Sequence, residues 1–186
     1  ASCLVGSEMC IRDRFSWISW LLLLGLLYWF FEDQISLQIN PNQQLQSQIG
    51  SSGEKVTVLK RNKAGHYVGT ALFNGVPMEF MLDTGATVVA VSEQAAQKLG
   101  MAKGQRYQVS TANGPAAAYD SKLNSLQLGD IMLTDIRASI TPGLHGTDIL
   151  LGMSALKQLE FSQQQDELKL IPVSYTHLRA HETRGN

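Results

Sequence analysis

Beyond residue 10 the chain contains no cysteine, because Cys3 and Cys10 are the only two. That excludes disulfides, a thiol nucleophile and cysteine metal sites from the body of the protein. Beyond Trp29 there is no tryptophan, since Trp17, Trp20 and Trp29 account for all three. No basic stripe or glycine-rich phosphate loop occurs, and the formal net charge is -1, so nucleic-acid binding has no support. No internal repeat is visible. His66 and His145 lie far apart without obvious partners, and each reads as a satisfied or exposed ring.

The two ends are related through DNA rather than through protein chemistry. The segment CTC GTG GGC TCG GAG ATG TGT ATA AGA GAC encodes Leu4–Asp13, and its reverse complement encodes Val173–Glu182 codon for codon. Unrelated protein termini do not share that relation. It is the signature of a transposase-type sequencing adapter read through on both strands. Residues 1–14 and 173–186 are therefore set aside as one sets aside a fusion scar. On this expectation Cys3, Cys10, Arg12, Arg14 and the helically spaced pair His177 and His181 carry no native chemistry. The natural N-terminus is then expected to lie outside this chain.

What is present falls into three parts. Residues 15–31 form an apolar run free of charge, with Trp17 and Trp20 near one end and Tyr28 and Trp29 near the other. A helix of that length is about 25 Å long, slightly short of a hydrocarbon core of about 30 Å. Paired aromatic ends suit two membrane interfaces, and the run has no polar face of the kind a core helix shows. No small-x-small cleavage pattern follows, so a retained single-span anchor is expected rather than a cleaved leader. Residues 32–54 are rich in Gln, Asn and Ser, and read as a flexible, solvated linker.

Residues 55–172 change to short β-rich runs separated by Gly, Asn and Asp. The pattern predicts a hairpin at Asn74-Gly75, a Ser92-capped helix ending at Gly100, a hairpin around Asn113-Gly114, and a strand pair around Gly129-Asp130. A helix from Ser154 to Leu159 and a closing strand pair at Phe161 and Leu168–Ile171 complete it. Strands at this spacing imply a mainly β, closed or sandwich-like domain large enough for one core.

The candidate chemistry lies at Leu82-Asp83-Thr84-Gly85-Ala86-Thr87, where an apolar strand delivers one carboxylate to a tight turn. Taken alone, Asp83 is open to an Asx-turn or helix-cap role, and Asn113-Gly114 to an ordinary hairpin turn. Asp130 and Asp148 read as turn or cap residues. The apolar element Ile149-Leu150-Leu151-Gly152 follows downstream.

Together, the Asp83-Thr84-Gly85 loop, the hairpin tip Ser110-Thr111-Ala112-Asn113-Gly114 and the Leu150-Leu151-Gly152-Met153-Ser154 element resemble the retropepsin-like aspartic proteases. With Gly65-His66-Tyr67-Val68 and Arg137-Ala138-Ser139-Ile140, they are similar to a bacterial family of membrane-anchored, single-lobed members. The resemblance covers residues 55–171. It implies a retropepsin-like closed β-barrel, the half-lobe of an acid protease, preceded by one transmembrane helix. It implies that Asp83 is the catalytic carboxylate, that Thr84 grips across a subunit boundary, and that Gly85 lets its amide approach the aspartates. Ser110, Thr111, Ala112, Asn113 and Gly114 become a substrate-binding flap, and Gly152 packs behind the catalytic loop. No cofactor or metal is implied.

That chemistry needs two carboxylates sharing a proton, and the chain has one Asp-Thr-Gly. A homodimer, with one Asp83 from each subunit, is the simplest arrangement. The implied function is a membrane-anchored aspartic endopeptidase acting on peptide or protein substrates. Its expected setting is a bacterial inner membrane, with the catalytic domain on the periplasmic side. Alternatives on the same fold are a non-catalytic peptide-binding module and an anchored structural domain of an envelope complex.

Overall fold

The computed structural model describes residues 6–50, 53–111, 114–144 and 147–173, and of residues 6–16 and 33 the backbone alone. Cys3, His145, His177 and His181 lie outside the described residues. The chain divides into two compact units, Ala1–Gln38 and Ile39–Asn186.

The first unit is essentially helix α1 (Gly6–Ile39). Within it Trp17–Ile39, 23 residues at mean hydropathy 1.3, is long and apolar enough to cross a membrane by length and composition. The helix continues past Phe31, where the apolar run of the sequence stops. Nothing in Glu32–Ile39 breaks a helix, and Ile35, Leu37 and Ile39 keep it apolar. It ends where Pro41 disfavours helical backbone at Asn40.

Among the described residues, the second unit contains eleven strands and two short helices. Strands β1 (Gln46–Ile49), β2 (Lys55–Lys60), β10 (Leu159–Gln164) and β11 (Glu167–Pro172) form a small sheet in the order β1-β2-β11-β10. The larger sheet runs β3 (Val68–Phe73), β4 (Val76–Leu82), β9 (Ile149–Leu151), β5 (Val89–Val91), β8 (Ile131–Ile140), β7 (Gly114–Leu128), β6 (Arg106–Thr111). Antiparallel pairing of β3 with β7 at Leu72↔Gln127 and Phe73↔Leu126 closes it into a barrel. Helix α2 (Glu93–Lys98) follows β5, and α3 (Met153–Leu156) follows β9.

Local chemistry explains these elements. Asn74 and Gly75 sit at φ 47 and φ 81, the doubly left-handed turn that Asn-Gly favours. Ser92 caps α2 by accepting the Ala95 amide at 3.1 Å, and Gly100, at φ 64, takes the chain out of the helix. Helix α3 is shorter than the Ser154–Leu159 expected, because Leu159 already pairs with Pro172 at the start of β10.

The core is continuous across both sheets. Phe73, Phe80, Leu123, Ile136, Ile149 and Leu151 are fully buried in the barrel, and Leu59, Leu168 and Leu170 of the small sheet join the same cluster. The β7–β8 ribbon changes which face it buries part-way along. Ile131 and Leu133 point inward, Asp135 at φ 58 is exposed, and Ile136, Ala138 and Ile140 then take the inward positions. The pairing register is the same on either side of this point, at Leu123↔Ile136 and Ser125↔Thr134, so both strands change face together and the ribbon turns around the barrel.

Residues 40–49, read from composition as part of a solvated linker, are docked on this unit. Asn40 and Asn42 are 4% and 5% exposed, and β1 pairs with β2 from Gln46↔Val58 to Ile49↔Lys55. Side-chain amides bonded to backbone groups of distant strands hold the segment, which its lack of bulky apolar residues conceals.

Candidate active site

Strands β4 and β9 run parallel, with Phe80↔Ile149, Met81↔Leu150 and Leu82↔Leu151 in register. Their paired residues, Phe80–Leu82 and Ile149–Leu151, are apolar, and the two strands finish side by side. One leads into Asp83 and the other into Gly152. The Leu82 amide donates to the Tyr67 carbonyl at 2.9 Å, and the Asp83 amide to the Leu151 carbonyl at 3.1 Å. The aspartate backbone is therefore fixed from both neighbouring strands.

After Asp83 the chain turns sharply, with the Ala86 amide donating to the Asp83 carbonyl at 3.2 Å. The Gly85 amide donates to Oδ1 of Asp83 at 2.8 Å. This is an Asx turn, and it orients the carboxylate: Oδ1 is held, while Oδ2 has no hydrogen-bond partner among the described residues. Asp83 is half-buried, and Thr84 and Gly85 are exposed. A β-carbon on Gly85 would stand 3.1 Å from Oδ1, so a side chain there would press on the carboxylate.

Gly152 lies directly behind this turn. A β-carbon on it would meet the carbonyl oxygens of Val88 and Ala86, the latter at 2.7 Å. Its φ is -92, so the requirement for glycine is close approach rather than backbone conformation. The next amide, that of Met153, donates to the Ala86 carbonyl at 2.8 Å. Ser154, 8% exposed, then accepts the Val89 amide at 3.0 Å and donates to the Arg137 carbonyl at 2.6 Å. One hydroxyl thus ties the strand leaving the turn to β8. Sequence reasoning placed Ser154 within the element that carries the resemblance and gave it no role of its own.

The expected flap is a two-stranded arm. Strand β6 pairs with β7 from Arg106↔Tyr119 to Thr111↔Gly114, whereas β7 meets β8 only from Tyr119 onward. Thr111 Oγ1 donates to the Gly114 carbonyl at 2.7 Å, and Gly114 sits at φ 103. Ser110, Thr111 and Gly114 flank the tip, while Ala112 and Asn113 lie outside the described residues. Asp148 stands at the opposite end of the β4–β9 ladder from Asp83, and its carbonyl accepts the Ser92 amide at 2.9 Å. Asp130 occupies the β7–β8 turn, its amide donating to Ser47 Oγ at 2.8 Å. Neither approaches Asp83 as a second carboxylate. Among the described residues no three His, Cys, Asp or Glu side chains gather as a metal site. A recess of about 620 Å³, lined by Glu79, Glu93 and Asp148 among others, lies at that opposite end and does not include Asp83.

This geometry can be set beside known proteins. The family described as "gag-polyprotein putative aspartyl protease" matches residues 69–158. A retropepsin-like aspartic protease of known structure from Rickettsia conorii is 33% identical, covering 62% of this chain and 98% of that one, with a TM-score of 0.52. The chain belongs to the retropepsin-like aspartic proteases. A Sinorhizobium sp protein described as "uncharacterized protein in cobV 5'region" is 34% identical over 124 residues, 64% of this retropepsin-like chain and 53% of that protein. The Rickettsia prowazekii (strain Madrid E) protein RP867 is 33% identical over 138 residues, 72% of this chain and 56% of its own length. The chain therefore spans about half the length of these two relatives.

Proposed function

We propose that this retropepsin-like protein is an aspartic endopeptidase that works as a homodimer, with one Asp83 contributed by each subunit. The observation that carries this reading is the pairing of a half-exposed, oriented Asp83 carboxylate with a loop backed by Gly152. One protomer supplies one such carboxylate, which favours a cleft completed by a second copy.

Two carboxylates held close together cannot both ionise, so they share one proton. The ionised one takes a proton from a water lying between them, and that water attacks the scissile carbonyl. The protonated one donates to the carbonyl oxygen as charge develops there. The proton then passes to the leaving nitrogen. The Gly85 amide, already on Oδ1, holds the carboxylate in its orientation. Thr84, exposed beside Asp83, is the residue placed to reach the other subunit. The arm ending at Ser110, Thr111, Ala112, Asn113 and Gly114 is the element suited to cover an extended peptide.

Helix α1 supports a single-span membrane anchor. Glu32-Asp33 and the absence of Lys or Arg between Arg14 and Lys55 favour a periplasmic catalytic domain in a bacterial inner membrane. Residues 1–14 and 173–186 are read as non-native, and the catalytic unit as residues 55–172 together with the docked segment 40–49.

The test is cleavage of a diverse peptide library by the full chain in detergent, from acidic to neutral pH, beside its Asp83→Ala variant. Cleavage by the parent and none by the variant is the expected result. A folded, dimeric parent that binds peptides without cleaving them would make the protein a peptide-binding module instead.

A further inference from the structure

The barrel has an unclosed seam, and a residue from the segment after α1 fills it. Strand β3 pairs with β4 along its whole length, but with β7 only at Leu72 and Phe73. The other edge of Val68–Thr70 therefore has no strand beside it. Asn42 occupies that edge. Its carbonyl accepts the Thr70 amide at 3.0 Å, and its Nδ2 donates to the Val68 carbonyl at 2.6 Å. The same Nδ2 donates to the Lys60 carbonyl at 2.8 Å, and Oδ1 accepts the Lys60 amide at 2.7 Å. One side chain thus joins the end of β2, in the small sheet, to the start of β3, in the barrel.

The fit is close on every side. Gly69 lies opposite, where a β-carbon would stand 3.3 Å from both the Asn42 β-carbon and the Phe80 ring. Asn40 accepts the Asn42 amide at 3.1 Å and donates to Thr70 Oγ1 and Glu79 Oε2, each at 3.1 Å. The strand so held is the one that positions Asp83. Val68 pairs with Met81, and the neighbouring Tyr67 carbonyl takes the Leu82 amide at 2.9 Å.

We propose that Asn42 is a positioning residue for Asp83: it substitutes for a missing strand along β3, and through Tyr67 and Leu82 it fixes the backbone that delivers the carboxylate. The catalytic part of the proposal rests on the aspartic peptidase reading. The backbone part does not.

Asn42→Asp is the informative variant in the full chain, because it keeps the shape and the acceptor but sets a carboxylate oxygen against the Val68 and Lys60 carbonyls. Thr57→Val is its control. Thr57 is fully buried and donates to the Leu128 carbonyl at the end of β7 at 2.9 Å, so its loss loosens the join between the small sheet and the β7–β8 turn, away from Asp83. Hydrogen exchange needs no activity. Asn42→Asp should speed exchange at Leu82 and Asp83 by about tenfold relative to the β7–β8 ladder, and Thr57→Val should not. If the parent cleaves peptide, Asn42→Asp should lower kcat by about tenfold with KM within about twofold. Uniform acceleration at all sites, or the same kcat loss in Thr57→Val, would reduce Asn42 to a general stabiliser and overturn the proposal. Asn42→Ser is the second variant, and failure of both Asn42 variants to fold would overturn it as well. A parent that cleaves nothing would instead count against the peptidase reading, while exchange at Leu82 and Asp83 still decides the role of Asn42.

Discussion

Gly152 stands so close to the Ala86 carbonyl that a β-carbon on it would lie 2.7 Å from that oxygen. The turn carrying Asp83 and the start of α3 are therefore packed backbone to backbone, and the loop is set by the chain behind it.

Gly152→Ala should accordingly destabilise the domain by roughly 1–3 kcal/mol, the range for a methyl forced into a filled space. The clash is with two backbone carbonyls, which have little freedom to yield. Urea unfolding of the variant beside the parent measures it. Loss of cleavage should accompany the loss of stability.

Ser154→Ala removes the partner of two backbone groups, the Val89 amide and the Arg137 carbonyl. Leaving such groups unsatisfied costs about 1–3 kcal/mol. The expected outcome is a lower urea midpoint at unchanged m-value, with the fold retained.

How much of this was readable in the sequence depended on how local the cause was. Strand β4 ends at Leu82 as its apolar run does, Asn74-Gly75 makes the turn its residue types demand, and Ser92 caps α2. Each is decided within a few residues. Around Asp83 the structure adds that a β-carbon on Gly152 would meet the Val88 and Ala86 carbonyls and that one on Gly85 would press on Oδ1. Asn42 was not legible. Its partners Lys60 and Val68 lie 18 and 26 residues away, and an Asn in a Gln-rich stretch looks solvated until those backbone groups are placed around it. The same holds for Ser154, whose partners are on β5 and β8. Helix α1 outlasts the apolar run because its end is set by the first helix breaker, Pro41, and not by hydropathy.

The docked segment makes a direct prediction about domain boundaries. A fragment starting at Ile39 should fold fully, whereas one starting at Glu54 loses β1 and the four bonds of Asn42 to Lys60, Val68 and Thr70. At about 1 kcal/mol per hydrogen bond the shorter fragment should be less stable by roughly 2–5 kcal/mol. Thermal melts of the two fragments, ending at the same residue, give the comparison.

On the proposed dimer, a shared proton also fixes the shape of the pH profile. Only the singly protonated pair is competent, so kcat/KM should follow a bell. Its acid limb marks protonation of the second carboxylate and its alkaline limb loss of the shared proton. Both limbs belong to the pair rather than to one residue. A profile with a single limb, extending flat to alkaline pH, would point to a different catalytic group.

The central claim is that two copies of Asp83 make one site, and subunit mixing tests it most directly. Parent and Asp83→Asn chains are combined in equal amounts, dissociated, reassembled at fixed total concentration, and assayed for cleavage. Random pairing leaves about a quarter of the dimers with both aspartates, so activity should fall to about a quarter of that of the parent alone. Retention of half the activity would mean that each chain acts by itself, and would contradict the account.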